Sequence, residues 1–183
     1  MAMRILGIDP GTATIGYGFI DVINKRPQLL ECGVIETHKS LPMQDRLVEI
    51  GNDVADLIKE YQPTLCVVEE LFFFKNITNG ISVAQARGVI VYELTKAKVT
   101  LLEFTPLQMK SLITGQGMAS KQQVGMMIKG ILQLDRVPKP DDAADALGLA
   151  ITHAHAEGSF SALAQATALN RKTHAQFRKG RTY

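Results

Sequence analysis

Residues Arg4 to Ile20 read RILGIDPGTATIGYGFI, and the rest of the chain is arranged around them. The run Ile5, Leu6, Gly7, Ile8 is apolar on both alternations, the pattern of a central strand covered on two faces. It stops at Asp9, and Pro10, Gly11 and Thr12 are turn residues. Alternation resumes through Ile15, Tyr17, Phe19 and Ile20, so the stretch predicts a hairpin of two antiparallel strands. A carboxylate at the mouth of a buried strand is costly unless a cation or metal compensates it. Alone, D-P-G marks a turn as readily as a site, and the decision rests on whether other acids reach the same place.

The flanking chain is that of a soluble globular domain. Its 183 residues are 46% apolar and 21% charged, enough for one substantial core. No apolar run approaches the roughly 20 residues that span a bilayer. The sequence enters a strand at once, so no signal peptide is expected. Cys32 and Cys66 both fall in strand-like runs and form no disulfide framework, which suits a reducing cytoplasm. Residues 158–183 hold Arg171, Lys172, Arg178, Lys179 and Arg181 and no acid. Without those five, fifteen basic residues face eighteen acids over residues 1–157. The expected organisation is a folded unit over 1–157 and a basic, partly disordered tail over 158–183. Such a tail suits a polyanionic partner or simply a solvated end.

Downstream of the hairpin, Gln28 to Thr37 reads as a third strand, completing a meander. Leu47, Ile50, Val54, Leu57 and Ile58 are spaced as one face of a helix. Thr64 to Val68 is a second short buried strand, and it too ends in acid, Glu69 and Glu70. Leu71 to Gly80 is a loop holding Phe72, Phe73 and Phe74 beside Lys75. A helix is predicted from Ile81 to Lys98, striped with Val83, Ala86, Ile90 and Leu94. Val99 to Phe104 is a fifth strand, Thr105-Pro106 opens a short helix, and Ser120 caps another. Pro138 and Pro140 precede a last helix from Asp141 to about Ala156, whose stripe is Ala143, Ala146, Leu147, Ala150, Ile151 and Ala154. The order predicts an α/β fold: a five-stranded mixed sheet, antiparallel meander plus parallel strands, flanked by helices.

If the fourth strand lies parallel to the first, Asp9 and Glu69 emerge together at the edge where open α/β sheets bind ligands. Asp142 and Asp145, three apart on the last helix and so on one face, would complete four carboxylates. Without cysteine or well-placed histidine, such a set suits Mg²⁺ or Mn²⁺ rather than zinc. Two such ions would serve in-line phosphodiester hydrolysis. Asp141 and Asp142 also fit as helix N-terminal acids; Asp145, a turn further in, does not.

The segments G-I-D-P-G-T and G-Y-G (Gly7 to Thr12, Gly16 to Gly18) resemble the RuvC family of Holliday-junction resolvases. So do V-E-E-L-F (Val68 to Phe72), K-N (Lys75, Asn76), Q-A-R-G (Gln85 to Gly88), D-A-A-D-A-L (Asp142 to Leu147) and I-T-H (Ile151 to His153). The resemblance covers about residues 3–156 in order. It implies an RNase H-like fold and a Mg²⁺-dependent homodimeric endonuclease that nicks four-way DNA junctions symmetrically in recombination and repair. It assigns metal binding and catalysis to Asp9, Glu69, Asp142 and Asp145, and not to Glu70 or Asp141. It suggests DNA contacts at Phe72, Lys75, Arg87, Lys110 and Lys121, where Arg87 is equally able to pair with a carboxylate. It implies the branch-migration complex RuvA–RuvB as partner. The helix beginning at Ile81 has apolar residues enough for core and dimer interface.

Three other readings compete. The I-D-P-G-T loop also resembles the first phosphate loop of the actin and sugar-kinase superfamily, but 183 residues leave no room for the second domain that reading needs. An RNase H-like nuclease for another nucleic acid, or a non-catalytic junction-binding module, would share much of the pattern.

Overall fold

The structure is a computed structural model and describes residues 3–70 and 77–156. Phe72, Lys75 and the tail 158–183 lie outside the described residues. Strands β1 (Met3–Asp9), β2 (Thr14–Ile23) and β3 (Arg26–Glu36) form the meander. Helix α1 (Met43–Tyr61), strand β4 (Leu65–Glu69), helix α2 (Ile77–Lys96) and strand β5 (Thr100–Phe104) follow. Helices α3 (Pro106–Thr114) and α4 (Lys121–Ile131) come next, and α5 occupies 141–156. The strand order is β3-β2-β1-β4-β5. β1 pairs antiparallel with β2 and parallel with β4, which pairs parallel with β5. This is the five-stranded mixed sheet expected from the sequence.

Element edges moved where local chemistry overrode periodicity. β3 begins at Arg26 because Asn24 and Lys25 both adopt positive φ, 51° and 65°, with Ile23 opposite Arg26. That is a two-residue type I′ turn, whose twist matches the strands. α2 starts four residues before the predicted Ile81 and ends at Lys96, two short of the predicted Lys98, which lies in the left-handed region. α3 stops where Gly115 takes a φ of 77°.

Strand alternation divides the core between the two faces of the sheet. Leu6, Ile8, Cys66 and Val68 pack with Ile50, Val54 and Ile58 of α1 and with Ala86, Ile90 and Leu94 of α2. Ile5, Leu65 and Val67 pack on the other face with Met109 of α3, Val124 and Ile128 of α4, and Leu147, Ala150 and Ile151 of α5. Continuing β1 and β4 at period two carries Asp9 and Glu69 onto this second face, beneath α5. No helix among the described residues is long and apolar enough to cross a membrane.

Candidate active site

Register brings the first two acids together. Ile8 lies opposite Val68 in the parallel ladder, so Asp9 and Glu69, the next residues, leave the sheet side by side on one face. The Asp9 carboxyl hydrogen-bonds Glu69.

Glycines bring the helix to them. Gly16 is the cross-strand partner of Asp9, and Gly18 that of Gly7, so all three glycines lie on the α5 face. A Cβ at Gly7 would collide with the Ala146 carbonyl, and one at Gly16 with the Asp142 carbonyl. At Gly18 it would press into the Leu147 side chain. The α5 backbone therefore sits almost on the sheet, in a trough that only residues without a Cβ leave open. Small residues complete the approach from above: Ala143, Ala146 and Ala150 are fully buried. The sequence reading missed these glycines as site-forming. The signal was present, because Gly7 and Asp9 lie two apart on one strand while Gly16 and Gly18 lie two apart on its neighbour.

The helix so placed carries Asp142 and Asp145 into the field of the strand acids. Burial, then Glu69, Asp145 and Asp142 in that order, push Asp9 up to about 8, with Lys121 opposing. Glu69 is raised as well, chiefly by burial and by Asp145. Its hydrogen bond with Asp9 and the charges of Lys121 and Lys110 work the other way. The arrangement sets the other three carboxylates singled out from the sequence near enough for their charges to act on Asp9.

Two of the lysines singled out from the sequence also reach this place. Lys121 is the first residue of α4, held there by a capping box in which Ser120 and Gln123 satisfy each other's backbone N–H groups. Its Nζ donates to Asp145 Oδ2 at 3.1 Å, which raises the lysine further. Lys110 lies on α3, begun by a Thr105–Gln108 capping box, close enough to stabilise the Glu69 carboxylate.

Arg87 is placed differently: its Nη2 pairs with Glu103 Oε1, binding α2 to β5. Asp141 is taken by Lys139, which holds it below the usual carboxylate range. Glu70 contributes a backbone N–H to the Phe104 carbonyl, 3.0 Å away.

A donor set of half-buried carboxylates, with neither cysteine nor histidine among them, suits a hard divalent cation. A divalent cation placed among these acids would offset the negative charge that Glu69, Asp145 and Asp142 put beside Asp9. No three acidic side chains among the described residues are yet gathered to a single point; Asp145 is turned to Lys121 instead. An entering cation would compete with that ion pair.

Comparison with known proteins shows the family to which this chain is related. The family described as "Crossover junction endodeoxyribonuclease RuvC" matches residues 5–153, a span holding all four acids and both lysines. The crossover junction endodeoxyribonuclease RuvC of Prochlorococcus marinus (strain MIT 9312) is 48% identical over 156 residues, covering 85% of this chain and 99% of the relative. Thermus thermophilus RuvC superposes with a TM-score of 0.78 at 33% identity, over 84% of this chain and 94% of that one. The same protein in complex with a Holliday junction substrate gives 0.76 at 31%, over 84% and 93%. The expected RNase H-like fold is thereby shown. A carboxylate edge built by period-two strands and a glycine-seated helix, within a chain similar to these proteins over most of its length, places it in the RuvC family of crossover junction endodeoxyribonucleases.

Proposed function

We propose that this protein resolves four-way DNA junctions by paired, symmetric nicks, hydrolysing one phosphodiester in each of two like strands. The observation that carries the reading is the convergence of Asp9, Glu69, Asp142 and Asp145 on one sheet edge, beside Lys110 and Lys121, in a chain of this family.

Asp9 and Glu69, held rigidly by the parallel ladder, would be the fixed ligands of a Mg²⁺ ion, or Mn²⁺ in its place. Asp142 and Asp145 would complete the site and would share in holding a second ion. Bound there, such ions supply charge neutralisation at the phosphate and an activated water for in-line displacement. Lys121, now paired with Asp145, would be free to meet a DNA phosphate were that carboxylate to ligate a cation. Lys110 stands beside Glu69 to neutralise charge developing at the cut. Phe72 and Lys75 we assign to the junction itself, the ring by stacking on an unpaired base and the ammonium at a phosphate.

Symmetric cutting calls for two active sites, which a C₂ homodimer provides. α2 offers a face for it. Ile90 and Leu94 are spent on the core, while Ile81 and Tyr92, eleven residues apart and so on one side of the helix, are 56% and 63% exposed. RuvA–RuvB as partner and a cytoplasmic location accompany this reading, with residues 1–157 as the nuclease unit.

The test is cleavage of a synthetic four-way junction in Mg²⁺ by the wild type and by Asp9→Asn. Paired nicks at symmetric positions from the wild type, and binding without cutting from the variant, are the expected result. Intact junctions from the wild type would overturn the reading.

A further inference from the structure

A second layer of contacts holds the turn that follows Asp9. β3 ends at Glu36, and Thr37, the next residue, is buried, 5% exposed. Its backbone N–H donates to the Ala13 carbonyl at 3.1 Å and its hydroxyl donates to the Thr12 carbonyl at 2.6 Å. Apart from the strand ladders, these are the hydrogen bonds that reach the 10–13 turn from elsewhere among the described residues. The same hydroxyl oxygen accepts from Arg46 Nε of α1 at 2.9 Å. Arg46 Nη2 is buried and has no hydrogen-bond partner among the described residues.

A guanidinium half withdrawn from water and spent on one threonine hydroxyl is a poor bargain for stability alone. It does have a directional effect. A charged donor on the oxygen polarises the O–H and strengthens the bond it makes to Thr12, shortening and stiffening the chain of contacts. That chain ends in the turn immediately after Asp9, so its rigidity is transmitted to the carboxylate. Neither Thr37 nor Arg46 touches the four acids.

We infer that Arg46 and Thr37 are positioning residues: through the Thr12 and Ala13 carbonyls they hold the Asp9 turn, and with it the carboxylate, in the place a divalent cation requires. This rests on the metal-dependent reading of the site given above. Groups that orient metal ligands from outside typically govern affinity or rate about 10–100-fold.

The experiment compares wild type with Thr37→Val, Thr37→Ser, Arg46→Lys and the double variant Thr37→Val/Arg46→Lys. Three quantities are read: the Mg²⁺ concentration that half-saturates metal-induced thermal stabilisation, junction affinity in EDTA, and single-turnover nicking. Thr37→Val is near-isosteric and removes only the hydroxyl. It should raise the Mg²⁺ midpoint and slow nicking, each roughly tenfold, with junction affinity within about twofold of wild type. Thr37→Ser should restore both, and Arg46→Lys should shift them in the same direction. Because Arg46 acts through Thr37, the double variant should be no worse than Thr37→Val. An unchanged Mg²⁺ midpoint in Thr37→Val, or additive losses in the double variant, would overturn the inference. So would a fall in melting temperature that accounts for the loss while the midpoint stays put. If Thr37→Val does not fold, an unchanged midpoint in Arg46→Lys overturns it alone. The midpoint needs no DNA, so a wild type that binds Mg²⁺ but cuts no junction would sink the resolvase reading and leave this one to stand or fall by the variants.

Discussion

Asp9→Asn should make the metal-free protein more stable while abolishing its response to Mg²⁺. The folded chain holds the Asp9 carboxyl at about 8, against an ordinary value of 3.8, through burial and then the charges of Glu69, Asp145 and Asp142. At pH 7 the folded state therefore keeps a proton that the unfolded chain has released. The sign follows: stability is fully present below 3.8 and drains away as pH rises, until the folded group also ionises near 8. At about 1.4 kcal/mol per pH unit over the roughly three units up to neutrality, the loss is on the order of 4 kcal/mol at most. Asparagine keeps the shape, donates to Glu69 through its amide and carries no ionisation to forfeit. A gain of about 2–4 kcal/mol is expected, or about 5–12 °C in melting temperature for a chain this size. The assay is thermal unfolding in EDTA from pH 4 to 9, wild type against variant. The gap should open with rising pH and level off above about pH 8. Saturating Mg²⁺ should then raise the wild type and leave the variant where it was. A metal-free variant melting at or below wild type at pH 7, or a gap insensitive to pH, would refute the electrostatic account of the site.

Other perturbations reach different parts of the structure. Gly16→Ala should cost roughly 3 kcal/mol or more, since its methyl meets the Asp142 carbonyl rather than a yielding side chain. Urea unfolding measures the cost, and any folded fraction should nick poorly because α5 has been lifted. Lys121→Met should leave Asp145 without its ion-pair partner and cut single-turnover nicking by about a hundredfold, with the Mg²⁺ midpoint little changed or lower. Asp21→Asn removes a bidentate pair in which Arg4 Nε and Nη2 donate at 2.8 and 2.9 Å, while Arg4 Nη1 ties the Tyr61 carbonyl at the end of α1. Its cost should be about 1 kcal/mol near neutrality. Arg4 holds Asp21 below its ordinary value, so the cost should vanish as the pH falls through the folded value and both proteins lose the pair. Tyr92→Glu should convert a dimer to monomer in sedimentation at micromolar concentration, with folding unaffected.

The apolar runs at Ile5 to Ile8 and Thr64 to Val68 carried the pattern of strands buried on both faces, and each ended in acid; that much was local chemistry. Helical periodicity likewise placed α1, α4 and the alanine stripe of α5, because burying one face imposes a spacing that the unfolded chain already carries. The four carboxylates were legible as candidates for the same reason: Asp9 and Glu69 end strands, and Asp142 and Asp145 lie in the first two turns of a helix, whose directions the pattern revealed. Tertiary structure decided how close those ends come. Gly7, Gly16 and Gly18 were legible as strand and motif residues, but not as the seat of α5, since the space a missing Cβ leaves has meaning only once something fills it. Partner choice was also invisible. Arg87 turned to Glu103, Lys121 to Asp145, and Arg46 to a threonine nine residues earlier. A charge in a sequence can satisfy many opposites, and only the fold brings one within about 3 Å of it.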